Sequence, residues 1–115
     1  MKNRTFKTGA NRNSEDGKYD YEAFFSPLVL EGRAKYMHKH RFLEDGTMRD
    51  GDNWQKLFGE DHESVCMKSL MRHVMDLWLE HRGHKSRDGK EDAINGIFFN
   101  IEAIYYKYLN DNTKK

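Results

Sequence analysis

Apolar residues recur at helical spacing along two stretches in the C-terminal half of the chain. From Ser64 to Arg82 they fall at steps of three and four residues, which is typical of one face of an α-helix. The members of this first stripe are Met67, Leu70, Met71, Val74, Leu77, Trp78 and His81. A second stripe follows from Lys90 to Leu109: Ile94, Ile97, Phe98, Ile101, Ile104, Tyr105 and Tyr108. The pattern predicts two helices, joined by a polar connector, whose stripes face the core.

The second of these helices carries apolar residues on its other side as well, namely Gly96, Phe99, Ala103 and Tyr106. A helix that is apolar nearly all round is covered on both sides. We therefore expect it to be the central helix of a bundle or of a dimer. The second surface predicts a homodimer with the functional site near the seam.

A third helix is predicted upstream, because Ser26 and Pro27 suit a cap and a first turn. It should run to Lys39 or Arg41, before a long loop from Phe42 to Gly59 that Trp54 indicates is ordered. The fold class is then all-α: a small bundle of three main helices with a long ordered loop and a basic N-terminal arm. The expected divisions are an arm and aromatic anchor (1–25), a single helical domain (26–110) and a frayed tail (111–115).

Composition limits the function classes. The chain has 115 residues, 37% of them hydrophobic and 13% aromatic, which fits one folded domain. Its net charge of +1 makes nucleic-acid binding an unexpected function. The single cysteine, Cys66, excludes a disulfide framework. A charged-then-apolar leader and an apolar run of about 18 residues are both missing, so we expect a cytoplasmic protein without membrane contact.

Candidate chemistry lies on the polar side of the two C-terminal helices. His73, Asp76 and Glu80 share one helix face, and Asp92 follows the connector. Two antiparallel helices that present carboxylates to each other can hold Mg²⁺. The alternative is a solvated face, with Asp92 complementing the dipole of its helix. No HExxH motif supports a zinc site.

The basic arm offers a second kind of site. Arg12 and Lys18 could clamp a phosphate while Trp54 or Tyr36 stacks on a base. The alternative is an ordinary solvated tail and a core tryptophan.

Several short motifs resemble a known family in the same order along nearly the whole chain. They are Thr8-Gly9-Ala10 with Arg12, Gly17-Lys18, Tyr19-Asp20-Tyr21 before Ser26-Pro27, Ala34-Lys35-Tyr36, Asp52-Asn53-Trp54-Gln55-Lys56, Ser69-Leu70, Arg72-His73 and Phe99-Asn100. In these the chain resembles the phage-associated N-terminal domain of dATP/dGTP diphosphohydrolases. The Asn53-Trp54 and Arg72-His73 pairs are the most specific.

The resemblance implies a small helical enzyme that hydrolyses a purine deoxynucleoside triphosphate to its monophosphate and pyrophosphate with Mg²⁺, or Mn²⁺. It also implies kinship with the all-α MazG-like NTP pyrophosphohydrolases, whose ExxE and ExxD motifs bind the metal. Here the comparable positions read His73-x-x-Asp76 and Asp92-x-x-Asn95. Two carboxylates stand where four are expected, which leaves a catalytically inactive nucleotide-binding or protein-binding phage module as the alternative.

The roles that follow from the resemblance are residue-specific. Asp76, Glu80 and Asp92 would hold the metal, and His73 would orient or deprotonate the attacking water. The triphosphate would be neutralised by Arg12, Lys18 and Arg72. The nucleoside would contact Asn53, Trp54 and Asn100. A phage-encoded version would act in the host cytoplasm.

Overall fold

The computed structural model describes residues 3–14 and 16–113 and is mostly helical, with one small two-stranded sheet. Its elements are β1 (Asn3–Thr5), β2 (Asn11–Asn13), α1 (Tyr21–Phe24), α2 (Pro27–Lys39), a 3-10 helix (Asn53–Lys56), α3 (His62–His81) and α4 (Lys90–Thr113). The chain divides into two compact units, one ending at Gly32 and the other starting at Arg33. Residues 1, 2 and 15 of the predicted arm, and 114 and 115 of the predicted tail, lie outside the described part.

The N-terminal unit contains a hairpin that the all-α prediction did not include. β1 and β2 pair antiparallel, with Arg4 opposite Arg12. Between them the chain turns at Gly9, whose φ of 89° favours glycine. Both strands are three residues long and polar, so they carry no hydrophobic alternation that could predict them. The fold is therefore mostly helical rather than purely helical.

Helix α2 begins and ends where the sequence predicts. The Ser26 hydroxyl accepts a hydrogen bond from the amide of Val29 at 3.3 Å, as an N-cap serine should, and Pro27 occupies the first helical position. Two ion pairs join the later part of α2 to α4: Arg33 with Glu102 at 2.7 Å, and Lys39 with Asp92 at 2.6 Å.

The long loop after α2 is ordered, as Trp54 predicts. Phe42 and Met48 form an isolated antiparallel bridge, and the 3-10 helix places the Trp54 ring edge-on to Tyr106 at 5.2 Å. This contact anchors the loop to α4.

Helices α3 and α4 pack closely and antiparallel. Three contacts join them in reverse order along the chain: His62 with Ala103, Ser69 with Asn100, and His73 with Gly96. Small residues on α4 allow the close approach, since Ala93, Gly96 and Ala103 are all buried. Helix α4 also continues past its predicted end at Leu109 to Thr113.

The predicted core face of these helices is only partly buried, because one member, Leu70, is buried and the others are half-buried or exposed. The polar side of α3 turns toward α4, and His62, Asp76 and Asn100 are buried. By contrast, Trp78 is 52% exposed and Tyr105 is 58% exposed, although both belong to the apolar stripes. The small residues of α4 explain why polar side chains of α3 face this helix, because they leave room for those side chains, which find hydrogen-bond partners there.

The surface predicted as a dimer seam is covered within the chain itself. Gly96 and Ala103 are buried against α3, and Tyr106 is half-buried beside Trp54. This surface is therefore not available as the seam. Among the described residues, no helix is both long enough and apolar enough to span a bilayer.

Candidate functional site

A cavity of about 380 Å³ opens on one side of the α3–α4 pair, within the second unit. Its walls come from the end of α2, the loop with its 3-10 helix, and the facing parts of α3 and α4. This volume lies within the range of roughly 300–1,000 Å³ that small-molecule sites occupy. Five candidate residues from the sequence line it together: Tyr36, Asn53, Trp54, His73 and Asn100. We call it the nucleoside cavity, after the expectation from the sequence that Asn53, Trp54 and Asn100 contact a nucleoside.

Aromatic rings form much of its wall, namely Tyr36, Trp54, Phe58 and Phe99. Trp54 is held by its edge-on contact with Tyr106, and Phe58 stacks on His62 at 5.2 Å. Burial is the main cause that raises the pKa of Tyr36, so its phenol stays neutral. Rings fixed by other rings form a surface on which a planar base can stack.

Two arginines add positive charge to the same cavity. The Arg41 Nε donates to the carbonyl oxygen of Arg49 at 2.9 Å, and Arg49 donates in turn to the carbonyl oxygen of His40 at 2.9 Å. A guanidinium has five N–H groups, so each arginine keeps donors for an anion after making these bonds. Asp50, which also lines the cavity, pairs with Lys56 at 3.1 Å.

The buried amide of Asn100 has a defined orientation. Its nitrogen donates to the Ser69 hydroxyl at 3.1 Å and to the carbonyl oxygen of Gly96 at 2.8 Å. Both N–H groups of the amide are thereby used, which leaves its carbonyl oxygen as an acceptor. That oxygen suits an amino group of a ligand in the cavity.

His73 reaches the cavity from α3 with its ring against Gly96. Burial is the largest influence that lowers the pKa of His73, and the charge of Arg87 lowers it further. A lowered pKa keeps the imidazole neutral near pH 7, so it can accept a proton from water.

Asp76, a predicted metal ligand, is buried on α3 and paired with Arg87. The Arg87 Nε and a terminal nitrogen both donate to one carboxylate oxygen of Asp76, at 2.9 and 2.6 Å. These hydrogen bonds are the main cause that lowers the pKa of Asp76. The carboxylate is therefore ionised and already neutralised by a cation.

The other predicted metal ligands are also separately placed. Asp92 is half-buried at the start of α4 and accepts from Lys39, and Glu80 is half-buried on α3. Across residues 3–14 and 16–113, no three histidine, cysteine, aspartate or glutamate side chains are arranged to hold a metal ion. As positioned, Asp76, Glu80 and Asp92 do not form one site for a resident Mg²⁺. Their role as metal ligands therefore stays a prediction.

The three predicted triphosphate ligands do not lie in the nucleoside cavity. Arg12 and Lys18 line a second hollow of about 380 Å³ in the N-terminal unit, which Arg4 and three asparagines complete. Arg12 and Lys18 thus line one hollow, and their role as a phosphate clamp stays a prediction. Arg72 is exposed on α3 and does not line the nucleoside cavity.

The sequence prediction missed four charged residues of this region. Arg41 lies just before the loop and Arg49 within it, and Arg87 and Asp88 lie in the connector between α3 and α4. The charge of Asp88 contributes to the raised pKa of Tyr36 and partly opposes the lowering of the His73 pKa, so it acts on groups at the cavity. Helical spacing gives no signal for such residues, because only the path of the connector past α3 brings them there.

Comparisons with family models, with curated proteins and with solved structures found no match to this chain.

Proposed function

We propose that this protein binds a purine deoxynucleoside triphosphate in the nucleoside cavity and hydrolyses it to the monophosphate and pyrophosphate. The observation that carries the proposal is the meeting of aromatic rings, two arginines and the oriented Asn100 amide in one nucleotide-sized cavity. The motif resemblance to dATP/dGTP diphosphohydrolases, from which the nucleoside roles of Asn53, Trp54 and Asn100 were expected, is its other support. The proposal includes the bundle of three main helices and a cytoplasmic setting, in the host if the chain is phage-encoded.

The base would stack on Trp54, with the Asn100 carbonyl oxygen accepting from its exocyclic amino group. Adenine and guanine both carry such a group, and a purine offers a larger stacking surface than a pyrimidine. Asn53, at the start of the 3-10 helix, supplies a second amide to the same wall.

The phosphates would be neutralised by Arg41 and Arg49, whose guanidinium groups are held at the rim by backbone carbonyls. Fork-shaped guanidinium groups match phosphate oxygens with two parallel hydrogen bonds. The predicted phosphate roles of Arg12, Lys18 and Arg72 are not part of this proposal, because none of the three lines the cavity.

His73 is the residue we assign to water activation. Its imidazole is neutral at pH 7, lines the cavity and is fixed against Gly96. A neutral histidine can orient a water molecule and take its proton as the water attacks phosphorus. Mg²⁺ or Mn²⁺ would enter as part of the substrate, bound to the triphosphate.

A second candidate function is nucleotide binding without turnover, the inactive module. The ion pairs Asp76–Arg87 and Asp92–Lys39 favour it, since both carboxylates already neutralise basic side chains. Protein binding by such a module is the remaining form of this alternative.

The test separates binding from hydrolysis. The chain has two tryptophans, so a Trp78→Phe variant leaves Trp54 as the reporter. We expect dGTP or dATP to quench Trp54 fluorescence more strongly than dCTP or dTTP. The matched control is Trp54→Phe, in which the fluorescence of Trp78, which does not line the cavity, should not respond.

Pyrophosphate release is then measured for the four triphosphates with Mg²⁺, with Mn²⁺ and with a chelator. Metal-dependent release from a purine nucleotide supports hydrolysis, and an Asp92→Ala variant that folds but releases none would assign that carboxylate a role. Quenching without release supports the second candidate. Neither quenching nor release with any nucleotide at millimolar concentration would refute both.

We further propose a homodimer as the functional form.

A further inference from the structure

One side of the α3–α4 pair is apolar and uncovered. Its central residues are Met67, Met71 and Trp78 on α3, and Ile101, Tyr105 and Tyr108 on α4, each between 43% and 62% exposed. We call these six residues the bare face. Large side chains exposed together on one surface mark an interaction site.

The two stripes lie on the same side of the pair. At about 100° per residue, Met67 lies about 120° from His73, and Ile101 about 100° from Asn100, in the same rotational sense along each helix. His73 and Asn100 both point into the contact between the helices. Because the helices are antiparallel, equal rotations carry both stripes to one side.

The nucleoside cavity lies on the opposite side. Phe99, which lines it, lies about 100° from Asn100 in the reverse sense. A partner on the bare face would therefore leave the cavity open.

We infer that a second copy of this chain packs on the bare face, so that two α3–α4 pairs form a four-helix core. This inference rests on the homodimer of the proposed function and does not depend on nucleotide binding. It replaces the predicted seam of Gly96, Phe99, Ala103 and Tyr106, which the chain covers itself.

The area is sufficient for self-association. Half-exposed aromatic and aliphatic side chains, at about 150–250 Å² for a whole aromatic, place on the order of 600 Å² on the six residues alone. A stable interface buries about 800 Å² per partner. The half-buried Ile94 and Ile97 of α4 extend the patch toward that size.

Charge also favours an identical partner. None of the six residues is charged, and the Arg82 guanidinium lies over the Trp78 ring, 5.7 Å from its centre, at the C-terminal end of α3. The middle of the face therefore brings no like charges together in a dimer, and one cation at its end offers little charge to hold a nucleic acid or an acidic peptide.

The first test uses the wild-type chain without nucleotide. We expect sedimentation velocity to give a dimer at micromolar concentration. Hydroxyl-radical labelling should oxidise Met71 less than Met48. In a single chain the two side chains are similarly exposed, at 54% and 52%, so a difference between them would come from the partner. A monomer would overturn the inference. A monomer with a protected Met71 would overturn it too, because the chain's own N-terminal segment would then cover the face.

The second test uses single substitutions. Met71→Glu and Ile101→Glu place a charge in the bare face and should convert the dimer to a monomer with its helix content intact by circular dichroism. The control is Leu28→Glu on α2, which is exposed and outside the face, and this variant should stay dimeric. Dimers that survive both face substitutions would show that another surface pairs. If either variant does not fold, the wild-type labelling pattern decides, since unprotected Met71 in a dimer overturns the inference.

Discussion

The imidazole of His73 lies directly against the backbone of Gly96, so α3 and α4 leave no room there for a side chain. A Cβ at position 96 would come within 2.5 Å of the ring's Cγ and Cε1. Atoms cannot share that space, so either the ring or a helix would have to move. The glycine thus fixes both the spacing of the helices and the position of the imidazole at the cavity.

Gly96→Ala should lower the free energy of unfolding by about 1–3 kcal/mol, the usual cost of overpacking a close contact. Gly32→Ala is the matched control: nothing lies within 4 Å of its added Cβ, and alanine in a helix should raise stability by about 0.5–1 kcal/mol. Urea unfolding measures both. Removing the ring with His73→Ala should recover part of the loss in Gly96→Ala, and additive effects would show that the ring is not the obstacle.

The contact between His73 and Gly96 also shows which features of the fold helical periodicity can predict. Helical periodicity correctly placed α2, α3 and α4, and the serine–proline pair correctly placed the start of α2. It did not show that polar residues of α3 face α4, because it counts apolar side chains, whereas packing against Gly96 and Ala103 depends on small ones. Spacing gave no reason for Asn53 and Trp54 to line one cavity with His73 and Asn100; the motif resemblance only named them as candidates.

What could not be predicted depends on the path of the irregular segments. Arg41 and Arg49 reach the cavity because the loop bonds back on itself, and Arg87 reaches Asp76 because the connector returns over α3. Charged residues in a connector have no preferred partner that their spacing reveals. The hairpin was not predicted either, because its strands are short and polar and show no hydrophobic alternation.

The stability of the protein should depend on pH through His73. Burial and Arg87 lower its pKa in the folded state, so folding favours the neutral ring. This contribution is complete above the unfolded value of about 6.5 and is lost as the pH falls through the lower folded-state value. Urea unfolding between about pH 8 and pH 5 should show a smaller fall for His73→Gln than for the wild type. Equal slopes for the two proteins would contradict the shift.

The buried side chain of His62 links the loop to α4 through two hydrogen bonds. The Phe58 amide donates to its Nδ1 at 3.1 Å, so Nε2 carries the proton and donates to the carbonyl oxygen of Ala103 at 2.9 Å. His62→Ala removes both bonds and leaves a cavity, which should cost about 2–4 kcal/mol of unfolding free energy. His84→Ala, at an exposed position of the connector, should stay within about 0.5 kcal/mol of wild type. Similar losses for the two variants would remove His62 from this role.

The Asp76–Arg87 pair should contribute to resistance against acid. The hydrogen bonds from Arg87 lower the pKa of Asp76, so the pair stabilises the fold above the unfolded carboxyl value of about 3.9. This contribution is lost as the pH falls through the lower folded-state value. Asp76→Asn should therefore flatten the acid-unfolding curve.

A double-mutant cycle with Asp76→Asn and Arg87→Gln measures the coupling directly. The exposed Lys107–Asp111 pair, one turn apart on α4, is the matched control. We expect the larger coupling for Asp76 and Arg87, because the Asp76 side chain is buried and its partner donates twice. A coupling no larger than that of the control pair would mean that the connector is not held by this contact.

Trp54 should carry most of the affinity for a purine nucleotide. It is the largest ring of the nucleoside cavity, and its edge-on contact with Tyr106 holds it in place before a ligand arrives. Stacking of a base on an aromatic side chain contributes about 1–3 kcal/mol, so Trp54→Ala should weaken dGTP binding by about 5- to 150-fold by calorimetry. Tyr19→Ala, 77% exposed in the N-terminal unit, is the matched control and should bind like the wild type. The same loss for both variants would point to a general effect of removing an aromatic ring, and no loss at Trp54 would place the base elsewhere.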